Sequence, residues 1–280
     1  MIGGLDVSMT PLEFRLLSDL IYDFCGIRFE DPVRYMITRR LQPRLSTLEL
    51  PDFTEYYRYL KYSAHKKSEL DELVERVTTN ETYFFREEYQ LRAFRDEILP
   101  LLAEEKRVEK RLRFWSAGCS SGEEAYTIAM LCRECSFLDG YDIEVFGNDI
   151  SKKVLAMARA ARYSQGAFRT TEQRYLERYF RPVEGGKFEV VEEVKRMVSF
   201  GHLNLIDALQ LSLVGMNDAV FCRNVMIYFD DAARKIALRH LYRKLRPKGF
   251  LLLGHSESLL NITTEFEVVS LKSDLVYRRP

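Results

Sequence analysis

The chain has 280 residues, 46% of them hydrophobic, which is enough for a sizeable core in one large domain or two modest ones. Lys+Arg and Asp+Glu both number 42, so the formal net charge is +0 and no basic excess points to nucleic acid. The 5 cysteines are scattered and make no disulfide framework, the stretch MIGGLDVSMT has no signal-peptide pattern, and no apolar run approaches the roughly 18 residues of a membrane span. A reducing, cytoplasmic setting without membrane insertion is the expectation.

Residues 1–78 read as an all-helical domain. Thr10-Pro11-Leu12-Glu13 is a helix start, with a Thr cap, Pro in the first turn and Glu at the capping-box position. Leu16, Leu17, Leu20, Ile21 and Phe24 follow at helical spacing, and Gly26 is a stop. A second helix is expected from Val33 to about Leu45, a third from Asp52, and a fourth from Ser68 through Val77. Residues 79–110 form a linker and a long amphipathic helix, about 87–105, with Leu91, Phe94, Ile98 and Leu101 on one face.

From residue 111 the period changes. Leu112–Ser116 reads as a strand, AGCSSGEEAYTIAMLC as a turn into a helix, and Ile143–Phe146 as a strand ending in Gly147-Asn148-Asp149. A helix follows from Ser151, then a strand at Ala219–Cys222, a helix at Asp230–Leu245, and strands at Phe250–Leu253 and Leu275–Tyr277. This alternation predicts an open, mostly parallel, doubly wound α/β domain over 111–280. The β-like alternation of KFEVVEEVKRMVSF predicts a small inserted hairpin, a β-subdomain at about 183–200.

The motifs that carry chemistry cluster at the expected strand ends. In FWSAGCSSGEEAYTIAM, Gly118 and Gly122 allow a ligand close to the backbone. Glu123 and Glu124 either complement the helix dipole or suit a cationic ligand, and would repel a pyrophosphate. Asp149, after the second strand, stands where an acid holds ribose hydroxyls; Asp149 or Ser151 also serves as a helix cap. Asn204 lies on one loop, Arg223-Asn224 end a strand in FCRNVMIYF, and Tyr228 offers a hydroxyl. Cys132 and Cys135 have no second pair and no nearby His, so they read as packing and no metal is expected. TTNETYFFRE (78–87) sets polar groups, three rings and Arg86 side by side.

TTNETYFFRE, WSAGCSSGEEAYTIAM, the Asp149 strand end, Asn204-Leu205, FCRNVMIYF and LLLGHSES occur in this order, and the pattern closely resembles the chemotaxis receptor glutamate O-methyltransferases, the CheR family. The resemblance runs from about residue 10 to 278. It implies a helical N-terminal domain, a linker and an S-adenosylmethionine domain with an inserted β-subdomain. The implied reaction is methyl transfer to glutamate carboxylates on the cytoplasmic helices of methyl-accepting chemoreceptors, with S-adenosylhomocysteine as product. By motif match, Asn80, Thr82 and Arg86 contact the cofactor from a lid-like linker whose rings anchor it, and Glu123 lies near the methionine part. Asp149 holds the ribose, and Gly118, Asn204, Leu205, Arg223 and Asn224 complete the pocket. Arg86 and Tyr228 lie nearest the reaction.

VRYMITRRLQPRL holds Arg34, Arg39, Arg40 and Arg44 and no acid. It reads as a solvated face or, given the resemblance, as a receptor-docking helix for Glu-rich partners. The short stretch at VEGGK (183–187) counts against a receptor tether peptide bound by strand addition. The expected form is a monomer without nucleic acid. Rival readings are a dinucleotide oxidoreductase, which the missing GxGxxG opposes, a non-catalytic scaffold, and a methyltransferase serving another signalling array.

Overall fold

The computed structural model describes residues 7–280; residues 1–6, part of the stretch read as lacking a leader, lie outside it. The chain divides into a helical unit, reaching Thr79 and including Tyr228–Ala233, and an α/β unit of Asn80–Ile227 and Arg234–Pro280.

The helical unit contains α1 (Pro11–Cys25), α2 (Arg34–Thr47), α3 (Phe53–Tyr62) and α4 (Lys66–Val77). The α1 capping box forms: the Glu13 N–H donates to Thr10 Oγ1 at 3.3 Å, and the Thr10 N–H donates to the Glu13 carboxylate at 2.8 Å. Gly26 closes α1 with φ +75°, its N–H on Tyr22 O. Asp52 caps α3 through the Glu55 N–H at 2.8 Å. Leu17, Ile21, Leu41, Phe53, Tyr56 and Leu73 fill the core. Ile27 forms a β-bridge with Phe229, which ties the 228–233 segment into this unit.

In the α/β unit the expected long helix runs as α5 (Glu88–Ala93), a π-turn (Phe94–Ile98) and α6 (Leu99–Glu105). The π-turn inserts one residue into the period. Leu102 is therefore buried where Leu101 was expected, and Leu101 is exposed.

The main sheet comprises β1 (Arg111–Ala117), β2 (Asp142–Asp149), β6 (Val198–His202), β7 (Asn217–Cys222), β8 (Leu245–Leu253), β9 (Glu267–Ser270) and β10 (Leu275–Arg278). Its order is β6-β2-β1-β7-β8-β10-β9. The first five strands are parallel, and β10 runs antiparallel to both β8 and β9. The strand order reverses between β1 and β7, where open α/β sheets bind ligands at the carboxyl ends. Phe94 packs edge-on against Phe114 and Phe221, centroids 5.2 and 4.9 Å away, and holds the helix on the sheet. Helices α7 (Glu123–Arg133), α8 (Lys152–Ala160) and α12 (Asp231–Lys244) connect the parallel strands, with α9 (Gln173–Tyr179), α10 (Glu192–Lys195) and α11 (Ala208–Leu211) as short additions.

The small sheet differs from the expectation. It is three-stranded, ordered β3 (Arg162–Tyr163), β5 (Lys187–Val190), β4 (Phe180–Val183), and its hairpin turns through Gly185 and Gly186. Residues 198–200, assigned from alternation to the insert, belong instead to the edge strand β6, parallel to β2.

Candidate functional site

The loop after β1 bends back onto the end of β2. Gly118, at φ +81°, donates its N–H to Asn148 O at 2.9 Å, and the Cys119 N–H does so at 2.8 Å. A Cβ at Gly118 would stand 2.4 Å from Val225 Cγ2, so glycine is required by both space and conformation. Asn148 is itself locked: it accepts from Trp115 Nε1 at 2.7 Å and donates to Leu203 O at 3.1 Å. The ends of β1, β2 and β6 thus form one rigid rim. Asp149 sits on it, buried, with Ser120 N–H on one oxygen and Ser151 N–H on the other, each at 2.9 Å. Burial pushes its pKa up, opposed by these donors.

The two acids at the start of α7 separate into different roles. Glu124 accepts from Ser116 Oγ at 2.6 Å and pairs with Arg223 at 3.1 Å. Glu123 is buried and accepts from the Ser121 hydroxyl, at 2.8 and 3.0 Å. Burial raises its pKa to about 7.

TTNETYFFRE is pinned by its rings. Phe84 sits among Tyr163, Phe168 and Phe180, with centroids at 4.8, 5.3 and 4.9 Å. Its N–H donates to Ala167 O, and its carbonyl accepts from Thr170 Oγ1. Phe85 packs on Tyr175 at 4.3 Å and donates its N–H to Thr127 Oγ1. Tyr83 instead stacks under the Arg169 guanidinium, 3.7 Å away. The Asn80 carbonyl accepts from Ser120 Oγ at 3.4 Å, which brings the start of the segment to the glycine loop. Phe85 and Glu87 both have left-handed backbones, φ +58° and +57°, each costing roughly 1–2 kcal/mol in a non-glycine residue. Arg86 stands between them, half-buried, donating to Glu81 O at 3.0 Å.

Two family models match the chain: the CheR methyltransferase all-alpha domain over residues 12–78 and the CheR methyltransferase SAM binding domain over residues 80–275. The chain belongs to the CheR methyltransferase family. It is 34% identical over 276 residues to chemotaxis protein methyltransferase 2 of Vibrio cholerae, covering 98% of this chain and 95% of that one. Chemotaxis protein methyltransferases of Salmonella typhimurium and Escherichia coli are each 36% identical over 275 residues, covering 97% of this chain and 91% and 92% of theirs.

The cofactor of this CheR-family chain is S-adenosylmethionine, and the rim fits it. With N–H donors from Ser120, Ser151 and Ile150, the Asp149 carboxylate still keeps lone pairs for a vicinal diol. Glu123 is a buried acid that meets no cationic side chain among the described residues, so the ligand's ammonium would supply the missing charge. Gly118 and Gly122, at φ +81° and +94°, carry no side chain at the two turning positions of the loop.

Asn204 and Leu205 are buried on the loop after β6; Asn204 N–H donates to Gln210 Oε1, and its Oδ1 accepts from Ile206 N–H. Thr82 is half-buried. Asn224 turns at φ +59°, its N–H held by Glu257 at 2.8 Å and its amide by Glu87 at 3.2 Å. Arg223 corrects the pocket-lining expectation: its guanidinium is engaged by Gln90, Glu124, Glu87 and the Arg86 carbonyl, and its side chain is 2% exposed. It fixes loops from inside the protein. Tyr228 belongs to the helical unit, 37% exposed, with its carbonyl accepting the Arg28 N–H.

The basic helix also needs correction. Arg44 makes a bidentate pair with buried Glu69, at 2.9 and 2.6 Å, and Tyr56 Oη joins that carboxylate at 2.9 Å. Arg40 caps α4 by donating to Val77 O at 2.7 Å. Arg34 pairs with Asp31, and only Arg39 of the four is classed as exposed. Arg40 and Arg44 face α4, so they hold the helical unit together and are not a free docking surface.

Sequence reasoning passed over Glu87, Gln90 and Glu257. Gln90 donates to Leu253 O and accepts from Arg223. Glu257, in the quoted LLLGHSES, accepts N–H groups of Gly254, Asn224 and Ile227. Its presence in a motif between two expected elements was the available signal.

Proposed function

We propose that this chain methylates glutamate side chains of chemoreceptor cytoplasmic helices, as a cytoplasmic monomer. The observation that carries this reading is end-to-end similarity, at 34–36% identity, to chemotaxis protein methyltransferases.

The site chemistry agrees with a carboxylate acceptor. Bound S-adenosylmethionine supplies an electrophilic methyl group and leaves as S-adenosylhomocysteine. A glutamate is already ionised near neutral pH, so no general base has to act. His202 Nε2 lies 2.8 Å from Ile150 O and His240 Nδ1 3.0 Å from Leu205 O, so both imidazoles are occupied by backbone carbonyls. Asp149 binds ribose hydroxyls, Glu123 the ammonium, and Asn80, Thr82, Asn204, Leu205 and Asn224 complete the cofactor contacts. Arg86 orients a carboxylate with its fork of donors, and Tyr228 donates to the acceptor oxygen. Catalysis then rests on positioning and on desolvating opposite charges. The tight turn Glu184–Gly186 in the small sheet favours receptor docking without a tether.

The test uses methyl-labelled S-adenosylmethionine, the full chain and a receptor cytoplasmic fragment. Label that mild base releases as methanol is a carboxyl methyl ester and supports the reading. Base-stable label overturns the acceptor assignment, and cofactor binding without any transfer points first to a wrong receptor and second to the scaffold.

A further inference from the structure

The last residue of TTNETYFFRE has no role in the reading above, yet its side chain joins three loops. Glu87 accepts from Arg223 Nη2 at 3.2 Å, from Asn224 Nδ2 at 3.2 Å and from the His255 N–H at 3.3 Å. These partners come from the end of β7 and from the loop after β8. Burial pushes the Glu87 pKa up, but the Arg223 charge and the hydrogen bonds from Asn224, Arg223 and His255 bring it below the ordinary carboxylate range, so the group is anionic at neutral pH. On its other side Arg223 Nη2 donates to the Arg86 carbonyl at 2.5 Å. Arg86 is thus bracketed: its carbonyl is held by Arg223, and the next residue's carboxylate holds Arg223 in turn. The left-handed backbones at Phe85 and Glu87 persist inside this bracket.

We propose that Glu87 is a positioning residue that, through Arg223, Asn224 and the His255 backbone, fixes the strained turn from which Arg86 acts. The proposal rests on the reading that Arg86 serves the methyl transfer.

Glu87→Gly removes the carboxylate without adding backbone strain. Glycine adopts φ +57° freely, so the backbone relaxes while the carboxylate is lost, and Arg223 keeps Glu124 as its counter-charge. Turnover on the receptor fragment, S-adenosylhomocysteine affinity and Tm are measured for Glu87→Gly, Arg86→Ala and the double variant. Glu87→Gly is expected to lower kcat about tenfold or more, with cofactor affinity changed less than about threefold and Tm close to wild type. The double variant is expected to be no slower than Arg86→Ala alone, because Glu87 acts through Arg86. Unchanged kcat in Glu87→Gly, or losses that multiply in the double variant, overturn the proposal. Full turnover in Arg86→Ala overturns the reading beneath it instead. If Glu87→Gly lowers Tm strongly, the same cycle with Glu87→Gln, which keeps the size and one acceptor oxygen, gives the decision.

Discussion

Glu69 of the helical unit and Glu123 of the α/β unit are both buried glutamates, 5% and 4% exposed. Glu69 is closed by the fold itself, with two bonds from Arg44 and one from Tyr56. Glu123 receives a serine hydroxyl and, among the described residues, no cation. A buried carboxylate without a counter-charge costs stability, so a fold keeps one where a ligand completes it. The Glu69 pair is closed within the helical unit, whereas on the proposed reading Glu123 is completed by the cofactor.

The strongest way to break this comparison is to open the closed pair. Arg44→Ala leaves Glu69 buried without its cation and should destabilise the helical unit by about 3–5 kcal/mol. Urea denaturation followed by helical circular dichroism measures it. A loss below about 1 kcal/mol would show that Arg44 is not the counter-charge that the geometry describes.

The open acid gives a pH signature. With its pKa raised to about 7, Glu123 is mostly protonated below that pH and charged above it. A cationic ligand pairs with the charged form, so S-adenosylmethionine affinity should rise about tenfold per pH unit below pH 7 and level off above. Stability runs the other way. The unfolded chain ionises this group near 4.5, so its contribution is present below that value and is lost as pH rises through about 7. Glu123→Gln should bind the cofactor about tenfold more weakly at pH 8 and flatten the profile. Calorimetric titration between about pH 5.5 and 8 is the measurement; a profile unchanged in Glu123→Gln would remove Glu123 from the ammonium site.

What was legible in the sequence was local. Thr10 with Glu13, Asp52 and Ser151 declare their helices because a cap bonds residues two or three positions away. The glycine turn and the Asp149 strand end were readable for the same reason. Longer reach defeated the reading. Alternation in 187–200 reports which face a residue takes but not which strand it meets, and the segment divides between two sheets. The π-turn that exchanges Leu101 for Leu102 has no marker in the periodicity. The role of Glu87 depends on partners 136, 137 and 168 positions away. Charge alone could not tell that Arg40 and Arg44 face α4 while Arg39 faces solvent.

That division of the α2 cations yields the smallest expected effect. Arg39 is exposed, and its reversal to Glu should leave stability within about 0.5 kcal/mol. If α2 steers Glu-rich receptor helices, Arg39→Glu should slow methylation by about two- to fivefold at low salt, through encounter and not turnover. Near 1 M salt the Debye length falls to about 3 Å, and the difference from wild type should vanish. Receptor-fragment kinetics at two ionic strengths measure this. A rate unchanged at low salt would leave α2 without a docking role, since Arg40 and Arg44 are already held by Val77 and Glu69.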